Sequence, residues 1–158
     1  MTEAEAYNKF SAQCALTEYC CSDIRKKMLR LEMDEDVIER VIRHLTKEGF
    51  IDEARYANAF VRDKFHHNRW GRIRIEQELC MKGISQHLID DAMREIDEED
   101  ARETLLHLLE KKLPSVKGRN TYEIKAKLMR FAMSRGFDMD LIRSVADEVI
   151  SDADGIDY

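Results

Sequence analysis

The sequence contains a single proline, Pro114, and only six glycines in 158 residues. So few chain breakers leave little room for long loops and exclude an architecture of many short strands joined by tight turns. The four cysteines (14, 20, 21 and 80) include no CxxC, and the adjacent pair Cys20–Cys21 cannot easily bridge. A disulfide framework and a structural zinc site are therefore not expected; reduced cysteines packed within helices are. Paired ligands for another metal are missing too, because His66 and His67 are adjacent and no carboxylate or thiol stands at helical ligand spacing beside them. No apolar run is long enough to span a bilayer, and the N-terminal MTEAEAYNKF carries acids where a secretory signal needs positive charge, so the expected location is the cytoplasm. There is no P-loop, Gly-rich dinucleotide turn, nucleophile elbow or paired-acid motif. The sequence reads as a binding protein with no enzymatic activity and no cofactor.

What is abundant is helical pattern. Hydrophobic residues make up 44% and charged residues 37% of the chain, and the apolar positions recur with 3.6-residue spacing, which predicts an all-α fold. The spacing also repeats at longer range. Ile24, Met28, Met33, Val37-Ile38, Val41-Ile42 and Leu45 recur 51 positions later as Ile75, Leu79, Ile84, Leu88-Ile89, Ala92-Met93 and Ile96. From Ile84 onward the series returns 53 positions later as Phe137, Leu141-Ile142, Val145-Ala146 and Val149, whereas Ile124 and Leu128 match at 49. The difference of four residues is about one helical turn, so the middle helix of the third unit should be one turn longer. Units of this size must stack on neighbours to bury their apolar faces. We read three tandem three-helix repeats, at 1–48, 49–97 and 98–150, followed by an acidic flexible tail at 151–158. The predicted helices are 3–17, 22–31 and 35–47; 53–67, 71–82 and 86–96; and 98–113, 121–135 and 139–150. Ser22, Asp34, Asp52 and Ser85 are candidate caps, Cys20 is a poor one, and Asn120 with Glu123 makes a capping-box pattern.

The net charge of −6 excludes a generic polyanion binder, but the charge is uneven. From Arg62 to Arg74 there are five Lys or Arg, two His and one acid, Asp63, around the only tryptophan, Trp70. The other middle helices are basic as well. The candidate contact residues are Arg25, Lys26 and Arg30 in the first unit; Arg62, Lys64, Arg69, Trp70, Arg72, Arg74 and Lys82 in the second; and Lys117, Arg119, Lys125, Lys127 and Arg130 in the third. In register they would form a basic strip suited to a phosphate backbone or an acidic protein groove. The alternative for each is a solvated charge paired with a nearby acid. Trp70 has two readings, a stacking or anchoring residue and a core residue between units.

The run Gly49-Phe50-Ile51-Asp52, then Arg55-Tyr56-Ala57, Phe60-Val61-Arg62, Gly71, Ile75, Leu79 and Lys82-Gly83-Ile84 resembles the central signature of the RecX family. Ile24, Lys27 and Met28 resemble its first unit, and Lys127-Leu128 with Arg135-Gly136-Phe137 its third. The resemblance implies an elongated, curved array of three three-helix repeats. It implies a monomeric regulator that binds the filament of the recombinase RecA on single-stranded DNA, lies in its groove, and inhibits ATP hydrolysis, strand exchange and filament growth, with a role in homologous recombination, DNA repair and the SOS response. The sequence departs from the pattern at Cys20, where relatives often carry a capping serine. The acidic pI of 5.4 favours a protein–DNA filament over naked DNA, which would be bound weakly. A non-specific single-strand nucleic-acid-binding protein and a protein-only helical scaffold are the alternative readings.

Overall fold

The computed structural model describes residues 1–156, with side chains through Ala153. Among the described residues there are nine α-helices, one 3-10 turn and no strand. The helices are α1 (Glu3–Leu16), α2 (Cys21–Arg30), α3 (Glu35–Lys47), α4 (Glu53–His66), α5 (Arg72–Met81), α6 (Gln86–Met93), α7 (Glu98–Lys112), α8 (Thr121–Ser134) and α9 (Met139–Ile156), with the 3-10 turn at Leu113–Ser115. The fold is all-α, as the periodicity predicts. α8 has 14 residues where α2 and α5 have 10, the extra turn expected from the changed repeat offset. α6 is shorter than expected: it stops at Met93, and the Ile96 N–H turns back to the Met93 carbonyl. α9 continues to Ile156, six residues beyond its predicted end at 150. Asp157 and Tyr158 lie outside the described residues.

The chain forms two compact units. The first comprises residues 1–61 with 78–92, and the second residues 62–77 with 93 onward. The core of the first unit gathers Phe10, Ile24, Met28, Ile38, Val41, Leu45 and Ile51 from α1, α2, α3 and the turn after α3. Each side chain of this size contributes about 1.5–3 kcal/mol on burial. The core of the second unit is built by α7, α8 and α9 around Leu105, Leu109, Leu128, Phe137, Ile142 and Val145.

The helix starts show which sequence signals act. Asp52 accepts the Arg55 N–H at 3.0 Å, and Asn120 accepts the Glu123 N–H at 2.9 Å. The Glu123 carboxylate does not close a capping box on Asn120; it accepts from the Arg119 N–H, one residue earlier, at 2.8 Å. Asp34 occupies the cap position of α3 without a side-chain hydrogen bond. α2 differs more. It begins at Cys21 with Cys20 as its cap residue, and the Asp23 carboxylate accepts the Cys20 N–H at 3.4 Å. Ser22, predicted as a cap, instead donates its hydroxyl to the Lys82 carbonyl at 2.7 Å. The Lys82 ammonium in turn bonds Asp23 at 2.7 Å. These contacts tie α2 to the turn that ends α5.

The three middle helices end alike. The N–H of Met33 returns to the Met28 carbonyl, that of Ile84 to Leu79, and that of Phe137 to Ala132. These are the positions that the repeat aligns, and each follows a residue with positive φ: Glu32, Gly83 and Gly136. Such a cap satisfies carbonyls that the helix end leaves free and turns the chain onto its own core. Only the first uses a side-chain-bearing residue, Glu32 at φ 56°.

Gly136 has a second duty. The N–H of Gly71 donates to the Arg135 carbonyl at 2.7 Å, and that of Ile73 to the Gly136 carbonyl at 3.0 Å. Free N–H groups at the start of α5 thus meet free carbonyls at the end of α8, and both helix ends are satisfied at once. The approach leaves no space. A Cβ on Gly71 would lie 2.4 Å from the Gly136 carbonyl oxygen, and a Cβ on Gly136 would lie 2.3 Å from the Arg74 Cβ.

Two stability predictions follow from these geometries. Gly136→Ala combines left-handed strain with a backbone-level clash and should cost about 2–4 kcal/mol in urea unfolding. Glu32→Gly should stabilise by about 0.5–1 kcal/mol, relieved strain exceeding the entropy of a freer unfolded chain. The Asp23–Lys82 pair should give a pH signature. Burial pushes the Asp23 carboxyl up, but hydrogen bonds from Lys82 and Cys20 outweigh it and hold the group below its usual 3.8. The hydrogen bond to Asp23 raises Lys82 above 10.5. A depressed acid stabilises above its unfolded value and loses this as pH falls through the folded value; a raised base stabilises below its unfolded value and loses this as pH rises through the folded value. The pair's contribution, about 1 kcal/mol for a partly exposed pair, should therefore hold across neutral pH. It should fade below about pH 4 and above about pH 10.5, and melts of Asp23→Asn across pH should lack the acid limb.

Candidate functional site

The densest basic stretch, Arg62 to Arg74, lies in the second unit and is shaped by how α4 ends. Arg69 adopts φ 55°, and the Trp70 N–H reaches back to the Lys64 carbonyl at 3.0 Å. This turn brings the indole over the last turn of α4, with the Lys64 Nζ 5.1 Å from the ring centroid. From the other side of the sequence, the Arg74 guanidinium lies 4.0 Å from the same centroid. Arg74 is fixed by a hydrogen bond from its Nη1 to the Ser134 carbonyl at 3.2 Å, beside the Gly71–Gly136 contact. Trp70 is half-buried, between two cations, each worth about 0.5–1 kcal/mol at a partly exposed ring. It is an aromatic platform within a basic cluster.

The cations around it differ in their freedom. Arg62 pairs with Glu95 at 3.8 Å. Asp63, the one acid of the stretch, lies 3.7 Å from Lys64 and 3.2 Å from His67. Arg69 and Arg72 are exposed, and neither forms an ion pair among the described residues. Lys64, Arg69, Trp70, Arg72 and Arg74 are therefore the expected residues that the structure brings together.

The other expected residues divide. Lys125 is ion-paired with Asp147 on α9. Lys127 donates to the Lys117 carbonyl, which ties the start of the α7–α8 connection to α8. Lys117, Arg119, Lys127 and Arg130 are exposed in the second unit. In the first unit, Lys26 and Arg30 are exposed on α2. Arg25 is held by Glu39 through two bonds of 2.8 and 3.3 Å, and Lys82 is held by Asp23. These last two are engaged within their own unit.

A second cation–aromatic grouping escaped the sequence reading. The Phe131 ring on α8 lies 5.0 Å from the Lys112 Nζ and 4.9 Å from the Arg135 guanidinium. Its signal was the placement of Arg135 immediately before Gly136, at the end of the α8 face that carries Phe131. Burial raises Cys14 and Cys20 and pushes Cys21 up to about 11, so these three thiols are poor nucleophiles, whereas Cys80 is free and exposed. No helix is long and apolar enough to cross a membrane among the described residues. The exposed Arg69 and Arg72 beside the Trp70 ring can hold anionic groups.

Comparison with known proteins supports the reading of the repeats. The family model described as the second three-helix domain of RecX matches residues 52–93, and the third three-helix domain matches 98–145. A regulatory protein RecX of Clostridium botulinum (strain Eklund 17B / Type B) is 37% identical over 130 residues, which cover 81% of this chain and 60% of that protein. A regulatory protein RecX of Clostridium perfringens (strain 13 / Type A) is 31% identical over 125 residues, covering 78% of this chain and 58% of that protein. The chain thus spans about 60% of the length of the curated relatives it matches. A crystal structure of a regulatory protein RecX superimposes with a TM-score of 0.85 at 25% identity, over 92% of this chain and 73% of that one. RecX from Lactobacillus salivarius superimposes with a TM-score of 0.80 at 22% identity, over 93% and 96%. With two consecutive three-helix domains matched in order, and with relatives similar across most of its length, this chain belongs to the RecX family of regulatory proteins.

Proposed function

We propose that this chain is an inhibitor of the recombinase RecA that binds in the groove of the RecA–single-strand DNA filament and suppresses ATP hydrolysis, strand exchange and filament growth. Family membership supports the partner. The observation that supports the surface is Trp70 between Lys64 and Arg74, with Arg69 and Arg72 exposed beside it. The action is steric and electrostatic, and the chain performs no chemistry of its own. A net charge of −6 repels a bare polyanion at long range. A local basic cluster still gains at short range when DNA is already held within protein. The DNA contact is therefore weak alone and is made within the filament. The protein acts as a monomer in the cytoplasm, in recombinational DNA repair.

The test is DNA-dependent ATP hydrolysis by the cognate RecA with this protein titrated in. Hydrolysis should fall at or below stoichiometric amounts. Arg69→Glu with Arg72→Glu should raise the half-inhibitory concentration by at least about tenfold, since two phosphate-facing charges become repulsive. Arg74 is left out of this variant because it also holds Trp70 and the end of α8. An unchanged titration curve with a native circular dichroism spectrum would sink the assigned surface. Tight binding to bare single strands that collapses with salt, without inhibition, would replace the proposal with direct nucleic-acid binding. By contrast, Arg25→Ala and Lys82→Ala should leave the half-inhibitory concentration within about twofold and lower the melting temperature instead, because both cations serve internal pairs.

A further inference from the structure

A cleft of about 600 Å³ opens in the second unit between the start of α7 and the start of α9. Its floor is apolar, formed by Met93, Ile96, Ala101, Phe137 and Leu141. Its walls carry four carboxylates, Asp97 and Glu98 from the start of α7 and Asp138 and Asp140 from the start of α9. Two guanidiniums also line it. Arg102 is spent on Glu148 and on the Ser144 hydroxyl, which leaves Arg72 as the one cation at the rim without an acid partner among the described residues. Asp97 uses one oxygen on the Asp100 N–H at 2.7 Å. Asp140 is fully exposed and, among the described residues, reaches Arg143 alone, at 4.0 Å. The balance is a negative rim around an apolar floor, opposite in sign to the cluster around Trp70.

We propose that this cleft is a protein-docking site that takes a segment of a partner protein carrying one large apolar side chain next to lysine or arginine. The floor is wide enough for an aromatic or leucine side chain, and burying one there supplies the anchoring energy expected at the centre of an interface. The four carboxylates select the flanking residues by charge complementarity. Phosphates are repelled by the same carboxylates, and only Arg72, at the rim, is shared with the basic cluster beside Trp70. The inference stands independently of the RecA reading, since it concerns only the chemistry of the occupant.

The test uses the full chain labelled with nitrogen-15 and two blocked hexapeptides, one with a central phenylalanine among lysines and arginines and one with those cations replaced by glutamate. The basic peptide should give saturable shifts at the amides of Ile96, Ala101, Leu141 and Ser144, and the acidic peptide none. Ala101→Trp fills the cleft and should abolish the shifts. Asp138→Asn with Asp140→Asn keeps the side-chain size at the start of α9 and should weaken binding about tenfold; it decides the matter where Ala101→Trp does not fold. No saturable shift with the basic peptide, equal shifts with the acidic one, or undiminished binding by the Asn variant would overturn the proposal. So would a single-stranded oligonucleotide that shifts the same four amides.

Discussion

Much of the second unit depends on one backbone meeting, the start of α5 against the end of α8. A helix leaves its first N–H groups and last carbonyls without internal partners. Here Gly71 and Ile73 present two such N–H groups to the carbonyls of Arg135 and Gly136, and opposite ends of the helix dipoles face each other. The meeting is possible only because neither Gly71 nor Gly136 carries a side chain. It places Arg74 beside the α8 terminus, where its guanidinium reaches both the Ser134 carbonyl and the Trp70 ring. The backbone meeting thus sets where Arg74 stands, while the turn at Arg69 and the Trp70 N–H bond to the Lys64 carbonyl set the ring against the end of α4.

That arrangement explains how an acidic protein can present a usable positive surface. Acids and bases are nearly balanced in number, but they are sorted by local structure. Carboxylates gather where helices start, as at Asp97, Glu98, Asp138 and Asp140, where the dipole favours them. Cations gather in and around the middle helices. Many of them are then neutralised in place, Arg25 by Glu39, Lys82 by Asp23 and Lys125 by Asp147. Others stay exposed without an ion pair among the described residues, and two of these, Arg69 and Arg72, stand beside a tryptophan that already holds two cations against its ring. Within a Debye length of about 8 Å at physiological salt, such a patch is felt while the net charge of the whole molecule is screened.

The helices were legible because their signals are local. Apolar residues at i, i+4 and i+7, a capping Asp52 and a glycine at Gly83 lie within one turn of the ends they define, and the offset of 49 against 53 foretold the longer α8. The equivalence of Met33, Ile84 and Phe137, first a matter of aligned apolar residues, is the equivalence of three helix caps with the same returning hydrogen bond. The misread features are those decided by distant residues. Ser22 looks like a cap, yet Lys82, sixty positions away, takes its hydroxyl, and the cap falls to Cys20 with Asp23 as the reciprocal acceptor. Gly71 reads as a simple break, and nothing near it in sequence announces Gly136. Likewise, the basic strip could be listed from sequence, but which cations are already paired depends on helices brought together only by the fold.

The same separation of local from distant bears on Glu32. At the corresponding positions of the other middle helices the chain uses Gly83 and Gly136, where positive φ costs nothing. Gly136 must be glycine for a second reason, the approach of Arg74, whereas a Cβ at Gly83 would meet nothing within 4 Å. Glu32 therefore marks the one middle-helix cap where the left-handed strain is tolerated by a side-chain-bearing residue, and Met33 after it still returns its N–H to Met28. The cap survives because burial of Ile24 and Met28 against α1 and α3 holds the end of α2 in place. Conformational preference sets the cost of the turn, and the apolar core decides that the turn is made.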